Sequence, residues 1–377
     1  MKKGLWALGL AGMLAQTAGG WRPSEWVYTD WPWAYDAASG HWHWFNSADT
    51  QWVNGFPPAE GWRTMAGSGL AAGWAYYQWP YAYCQNNGAW YWMNEPDVQW
   101  VRDMTAGAWG QFGVPPAPIG MVWVRGGKNE GTDPDYGAYS LTVASFYMDR
   151  CEVTLGLWGE VRVYGSGTGY SDLREGIGKG TGHPVGGVSW HDAVKWCNAR
   201  SEKEGREPVY YADAGQSEVY KSGTLEPFVK ETADGYRLPT ETEWQYAARG
   251  GAAGRRFSWG DSDEIQHDRA NYKSNEGDVY DTSPTRGYHP TYYTGGIPYS
   301  APVGSFAANG YGLQDMTGNV SEWCYDWAPQ FIGHSRVIHG GSWYDDAYYA
   351  RIGYRSMSPP LTALHQLGFR TALHPGP

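Results

Sequence analysis

Two aspartates and four tyrosines crowd a short glycine-framed stretch near the end of the chain: Tyr344, Asp345, Asp346, Tyr348, Tyr349 and Tyr354, with His365 a little further on. Tyrosine brings a large amphipathic ring at small entropic cost, and aspartate brings acceptors; binding loops are rich in such residues. These seven side chains form the candidate ligand-binding set. The alternative is a polar, solvated loop whose tyrosines pack on neighbouring glycines. Repulsion within Asp345-Asp346 could raise one pKa, but adjacent aspartates are usually exposed. Other constellations are weaker. Ser189, His191 and Asp192 have the residue types of a triad but share one helical turn, where side chains diverge. Glu241 and Glu243 suit a helix start better than acid–base catalysis. His41 and His43 could chelate a metal, yet a second copy of that strand has Ala89 and Tyr91 there, so a solvated strand face fits better.

The chain opens Met1-Lys2-Lys3, runs apolar from Leu5 to Leu14 and reaches Gly20 through small residues, which is the order of a secretory leader over residues 1–20. That run is too short to span a bilayer. No cysteine follows it to carry a lipid, and no later stretch has the length of a membrane helix, so an exported protein without a membrane span is expected. The 377 residues carry a net charge of -11; loss of Lys2 and Lys3 makes it -13 (-11 - 2). An acidic chain without a Lys/Arg cluster is a poor partner for nucleic acid. Low charge content, 18%, beside 24 tryptophans and 29 tyrosines excludes a disordered chain. Export would permit disulfides among Cys84, Cys151, Cys197 and Cys324, and sequence does not choose their pairing. The absence of CxxC spacing argues against zinc. Cys197 and Cys324, inside Trp-rich apolar patterns, suit buried free thiols as well.

What could position the binding set begins with a repeat. Trp26 to Val53 aligns without gaps on Trp74 to Val101, 48 residues on (74 - 26), with 14 of 28 positions identical. Such identity marks one structural unit used twice. Aromatic residues at period two, as in Trp42-His43-Trp44 and Trp90-Tyr91-Trp92, predict antiparallel hairpin strands over residues 21–113. The pattern loosely resembles the aromatic repeats of bacterial cell-wall-binding modules, which implies a platform for sugar rings on an envelope surface; core filling by tryptophan is the favoured explanation of the two. Proline at 115, 116 and 118 makes residues 114–119 a linker. Beyond it, residues 120–377 read as short irregular strands with two helices, hence α+β. Ser189 caps a helix from Trp190 to about Glu204, with Asp192 in a capping-box position and Gly205 as the stop. Thr240 with Glu243 starts the other, ended by Gly250-Gly251.

An ordered series of motifs over roughly Gly120 to Leu373 resembles the formylglycine-generating enzyme, or sulfatase-modifying factor, superfamily. It includes Phe146-Tyr147-Met148-Asp149, Glu152-Val153-Thr154, Val188-Ser189-Trp190, Tyr236-Arg237-Leu238-Pro239-Thr240-Glu241, Asn309-Gly310-Tyr311-Gly312-Leu313, Gly318-Asn319-Val320 and the closing Gly340-to-Arg370 segment. The resemblance implies an irregular, loop-rich, C-type-lectin-like fold. It also implies two copper-holding cysteines, at positions occupied here by Asp345 and Ala350. Soft thiolates are what select Cu(I), so no copper is expected. A related branch uses non-haem iron held by histidines of a helical domain; no His-x-x-x-His-x-Glu pattern occurs here, so no iron is expected. Calcium is a further implied cofactor, with Asn309, Gly310 and Gly312 as oxygen donors, although a bare glycine turn is an even alternative. A first calcium loop at Asn271 and Tyr272 lacks its later acid, which would fall near Gly295. The tyrosine-rich segment is also similar to the variable region of lectin-fold proteins diversified by retroelements.

Two functions follow. One is an exported, non-catalytic protein that binds a protein or glycan ligand with the Tyr344-to-His365 surface. The other is a divergent metal-dependent oxidase or sulfatase-modifying enzyme on the same frame.

Overall fold

The computed structural model describes residues 117–374 and, before them, only the backbone of short strands between residues 27 and 111. Residues 1–20, where a leader is expected, most of the proline-rich stretch, Cys84, His41 and His43 therefore fall outside the residues whose side chains are described. The chain divides into two compact units, Met1–Pro116 and Ala117–Pro377.

In the first unit, β1 (Val27–Asp30), β2 (Trp33–Asp36) and β3 (His41–Trp44) form one antiparallel sheet. A second holds β4 (Ala75–Gln78), β5 (Tyr81–Cys84), β6 (Ala89–Met93), β7 (Trp100–Asp103) and β8 (Trp109–Gln111). Pairing recurs in one register: Tyr28 faces Tyr35 as Tyr76 faces Tyr83, and Trp33 faces Trp44 as Tyr81 faces Trp92.

The second unit begins with β9 (Met121–Val124), a long hairpin of β10 (Gly127–Asp133) and β11 (Gly137–Val143), and β12 (Phe146–Asp149). Helices α1 (Leu155–Thr168) and α2 (Trp190–Lys203) follow, then a small ribbon of β13 (Tyr210–Tyr211) and β14 (Phe228–Val229). After β15 (Tyr236–Arg237) and helix α3 (Glu241–Ala248), long loops carry the pairs β16 (Lys273–Ser274) with β17 (Gly287–Tyr288) and β18 (Tyr293–Thr294) with β19 (Ile297–Pro298), and a single 3-10 turn at Pro290–Tyr292. The chain ends with β20 (Ser321–Trp327), β21 (Arg336–His339), β22 (Ser356–Ser358), β23 (Leu367–Gly368) and β24 (Ala372–Leu373). Two four-stranded sheets hold the unit, ordered β15-β24-β12-β9 and β22-β21-β20-β23. The last two strands close both: β23 lies parallel to β20, and β24 lies between β12 and β15. The architecture is the expected loop-rich α+β one.

Both predicted helices form where their caps put them. Ser189 with Asp192, and Thr240 with Glu243, make reciprocal capping boxes, each worth about 1 kcal/mol. Gly205, with φ of +73°, turns the chain out of α2. Helix α1 is an addition that the sequence reading missed. It contains Gly156, Gly159, Gly165 and Gly167, and each mid-helix glycine costs about 1 kcal/mol against alanine. Packing offsets this. Trp158, fully buried, stacks on Trp196 of α2 with ring centroids 5.7 Å apart, and Phe369 meets both rings edge-on. A Cβ at Gly165 would stand 3.2 Å from that of Tyr170, so this helix needs glycine for close approach.

Phe146, Met148, Trp244, Leu313, Val337 and Ile352 lead the core between sheets and α3. Cys197 and Cys324 are buried free thiols and Cys151 is a partly buried one; burial raises the pKa of all three. No helix among the described residues is long and apolar enough to cross a membrane.

Candidate functional site

Gly340 and Gly341 take the left-handed region, at φ of +94° and +65°. A Cβ on Gly341 would lie 2.9 Å from the backbone N and Cα of Ala350, so this glycine lets the segment fold back on itself. Buried Ser342 donates its hydroxyl to Asp345 Oδ2. Trp343 N–H donates to the Asn319 carbonyl at 2.8 Å, and the Asp345 carbonyl accepts the Lys273 N–H at 2.8 Å. Ala347, Ala350 and Ile352 point inward and are buried. Tyr344, Tyr348 and Tyr349 point outward, with 53%, 44% and 40% of their surface exposed.

These tyrosines gather others. Tyr348, Tyr349 and Tyr354 form a closed triangle with centroids 5.1–5.4 Å apart. Tyr344 stands 6.3 Å from Tyr288, which stands 5.4 Å from Tyr293. On the other flank the Arg351 guanidinium lies 3.9 Å from the Tyr348 centroid and 5.1 Å from that of Tyr136. Exposed large tyrosines among the described residues are Tyr136, Tyr293, Tyr344, Tyr348 and Tyr349, so every one of them belongs to this one surface. Local sequence gave no sign of Tyr136, Tyr288 or Tyr293, which arrive from distant loops.

Two expectations need correction. Asp345 and Asp346 are not fully exposed: both are partly buried and keep part of their surface on water. Burial raises both carboxyl pKa values, and Asp346 is raised further by Asp278 and then by Asp345. His365 does not join the tyrosines. It is exposed on the loop before β23, where its carbonyl lies so near Gly186 that a Cβ there would sit 2.1 Å away.

The Asn309 loop is likewise differently occupied. Asn309 Oδ1 accepts the N–H groups of Tyr311 and Leu313, and Nδ2 donates to the carbonyls of Ala247 and Ala248 at the end of α3. Gly310 fits because a Cβ would strike the Gly250 carbonyl at 2.1 Å. With its side-chain oxygen spent on two N–H groups and no carboxylate between Asn309 and Leu313, this loop does not fit calcium, and Gly310 and Gly312 serve the turn. Asn271 also closes structure, donating to the Tyr299 carbonyl at 3.0 Å.

Unspent oxygens lie elsewhere. Glu152 Oε2 and Asp315 Oδ1 are buried without a partner. Burial, then Asp315, raises the Glu152 pKa well above the carboxylate range; burial raises Asp315 to about 6. Glu322 stands nearby, paired to Arg370 at 2.7 Å. No group of three or more His, Cys, Asp or Glu among the described residues forms a metal cluster. The orphaned pair nonetheless offers hard oxygens of the kind calcium takes, once the ion displaces their protons.

The remaining polar residues are structural. Ser189 Oγ donates to Asp192, while His191 Nδ1 meets the Tyr220 hydroxyl at 3.2 Å, so no triad forms. Glu243 pairs with Arg237 at 2.6 Å. Burial opposes ionisation of Glu241, but hydrogen bonds from His339 and Arg355 outweigh it and hold the carboxyl near about 2.

Residues 107–375 match the sulfatase-modifying factor enzyme 1-like domain family. The chain is 33% identical over 246 residues to the chaperone protein LppX of Paenibacillus barcinonensis, covering 62% of this chain and 82% of that protein. It is 33% identical over 221 residues to the formylglycine-generating enzyme of Streptomyces coelicolor, covering 52% and 63%. It therefore spans less than two thirds of that enzyme's length. Among solved structures, Treponema denticola variable protein 1 superposes with a TM-score of 0.52 at 26% identity, over 68% of this chain and 95% of that one. The irregular α+β architecture is thus the C-type-lectin-like fold of these proteins.

Proposed function

From the premise that this chain belongs to the sulfatase-modifying factor enzyme 1-like family, we propose that it is an exported, non-catalytic binding protein whose tyrosine face takes a protein or glycan ligand. One observation carries the reading. Where the family resemblance puts two metal-binding thiolates stand a serine-tied Asp345 and a buried Ala350, and the exposed tyrosines converge over them. Carboxylate and methyl groups cannot replace soft sulfur toward Cu(I). Exposed tyrosines on an anchored backbone supply contact area with little ordering cost. The basic, then apolar, N-terminal residues support export, and the aromatic strands of the first unit suit attachment to an envelope surface.

Binding of the whole protein to a glycan and protein array, with Tyr344→Ala and Tyr348→Ala beside it, tests the reading. The expected result is a ligand whose affinity falls about tenfold or more in each variant. Silence across the array, or indifference to both substitutions, would count against it. Copper in stoichiometric amount with oxygen uptake on thiol peptides would replace it with an oxidase.

Calcium enters the proposal as a structural ion at Glu152 and Asp315, where it would neutralise the pair and supply no chemistry. Adding calcium to chelator-treated protein is expected to raise its melting temperature, less so as the pH falls, because protons compete for both carboxyls. A melting curve indifferent to calcium, or a shift that survives Glu152→Gln with Asp315→Asn, would remove the ion from the account.

A further inference from the structure

We infer that the tyrosine face receives a cationic segment of a partner protein, arginine-bearing above all, held by ring stacking and by carboxylates that have no cation of their own. The inference rests on the binding reading and narrows its ligand.

The charges of the face divide into spent and unspent. Arg351 and Arg256 both pair with Asp135, at 3.2 and 2.7 Å, and Arg355 pairs with Glu241 at 2.5 Å. Arg355 is matched by Glu241, whereas Arg351 and Arg256 share one carboxylate and leave one positive charge over. Asp278, Asp345 and Asp346 are different. Asp278 accepts from Asn275 and the Tyr280 hydroxyl, Asp345 from Ser342, and Asp346 from the Tyr348 N–H. All those donors are neutral, and none of the three carboxylates has an ion pair among the described residues. Lys273 is the cation that acts on Asp346, and its ammonium lies over the Tyr288 ring at 5.5 Å. Three carboxylates against Lys273 and the one arginine that Asp135 leaves unmatched make the face negative by one charge (3 - 2).

Around them stand ring faces and edges suited to a guanidinium. The protein already uses that contact here, with Arg351 3.9 Å from the Tyr348 centroid and Arg256 4.3 Å from that of Tyr280. An arriving arginine can repeat it on the exposed Tyr344 or Tyr349 while its planar fork meets a carboxylate, which lysine matches less well. Repulsion between Asp278 and Asp346 would be relieved by such a cation. An anionic ligand meets the opposite field, and a neutral glycan leaves the carboxylates unused.

Fluorescence anisotropy with labelled Gly/Ser peptides carrying spaced arginines, lysines, glutamates or no charge tests the inference on the full chain. The arginine peptide is expected to bind tightest, the lysine peptide less tightly, and the other two at least about tenfold more weakly, with affinity falling as salt rises. The triple variant Asp278→Asn, Asp345→Asn, Asp346→Asn, checked for an unchanged melting temperature, should lose the preference for arginine. If that variant does not fold, Asp346→Asn alone should lower it. Equal binding of arginine and uncharged peptides, or a carboxamide variant that keeps the preference, overturns the inference. A neutral or anionic array ligand lost with Tyr344→Ala and Tyr348→Ala would do the same while leaving the binding reading standing; no tyrosine-dependent ligand at all would end both.

Discussion

Replacing Arg370 with methionine is expected to cost about 3 to 5 kcal/mol of folding free energy, the largest single loss in this domain. Arg370 is fully buried and has no unmet donor: Nε and Nη2 reach Glu322 at 2.7 Å, and its other bonds go to the carbonyls of Asp149, Arg150 and Gln314. Methionine fills much of the volume but leaves Glu322 with the Trp244 indole N–H as its partner, beside Glu152 and Asp315. The penalty is an uncompensated buried charge rather than a lost attraction. Adding Glu322→Gln to Arg370→Met should therefore recover part of the stability. Urea unfolding of the three proteins checks this; a single variant within 1 kcal/mol of the parent, about the worth of an exposed pair, would refute the buried-charge argument.

Gly341→Ala is expected to cost about 2 to 4 kcal/mol, from left-handed backbone strain and overpacking together. The added methyl would stand 2.9 Å from backbone atoms of Ala350, which cannot rotate aside as a side chain could. Gly205→Ala is the control. Its φ of +73° is similar and a Cβ there meets nothing within 4 Å, so strain alone, about 1 to 2 kcal/mol, should appear. Because the displaced atoms carry Tyr348 and Tyr349, the Gly341 variant should also weaken ligand binding, and the Gly205 variant should not. Equal unfolding midpoints for the two would show that the segment yields without cost.

What could be read from the chain was what lies close in it. Ser189 with Asp192 and Thr240 with Glu243 are three residues apart, and both capping boxes form. The tyrosines of residues 344–354 occupy one window and reach one surface. Helix α1 was hidden because its glycines lower local propensity; Gly156 allows a close approach to the Thr181 carbonyl and Gly165 to Tyr170, while Gly159 and Gly167 meet nothing within 4 Å. The polarity of Asp345 and Asp346 suggested exposure, whereas the backbone tie to Lys273 draws them partly under the surface. Glu152, Asp315, Glu322 and Arg370 sit on four separate segments, so only the folded chain brings their charges together. Asn309, by contrast, had a suggestive local motif whose side chain is needed to finish a helix.

The inward alanines and outward tyrosines of the final segment divide two kinds of selection. Ala347, Ala350 and Ile352 hold the backbone in the core, while Tyr344, Tyr348 and Tyr349 spend much of their surface on water. Exchange at the outward positions disturbs surface ring contacts rather than the core, so it should alter what is recognised at smaller thermodynamic penalty than exchange of Ala347, Ala350 or Ile352. A surface of this construction can acquire new ligands one residue at a time without passing through unfolded intermediates in its ancestry.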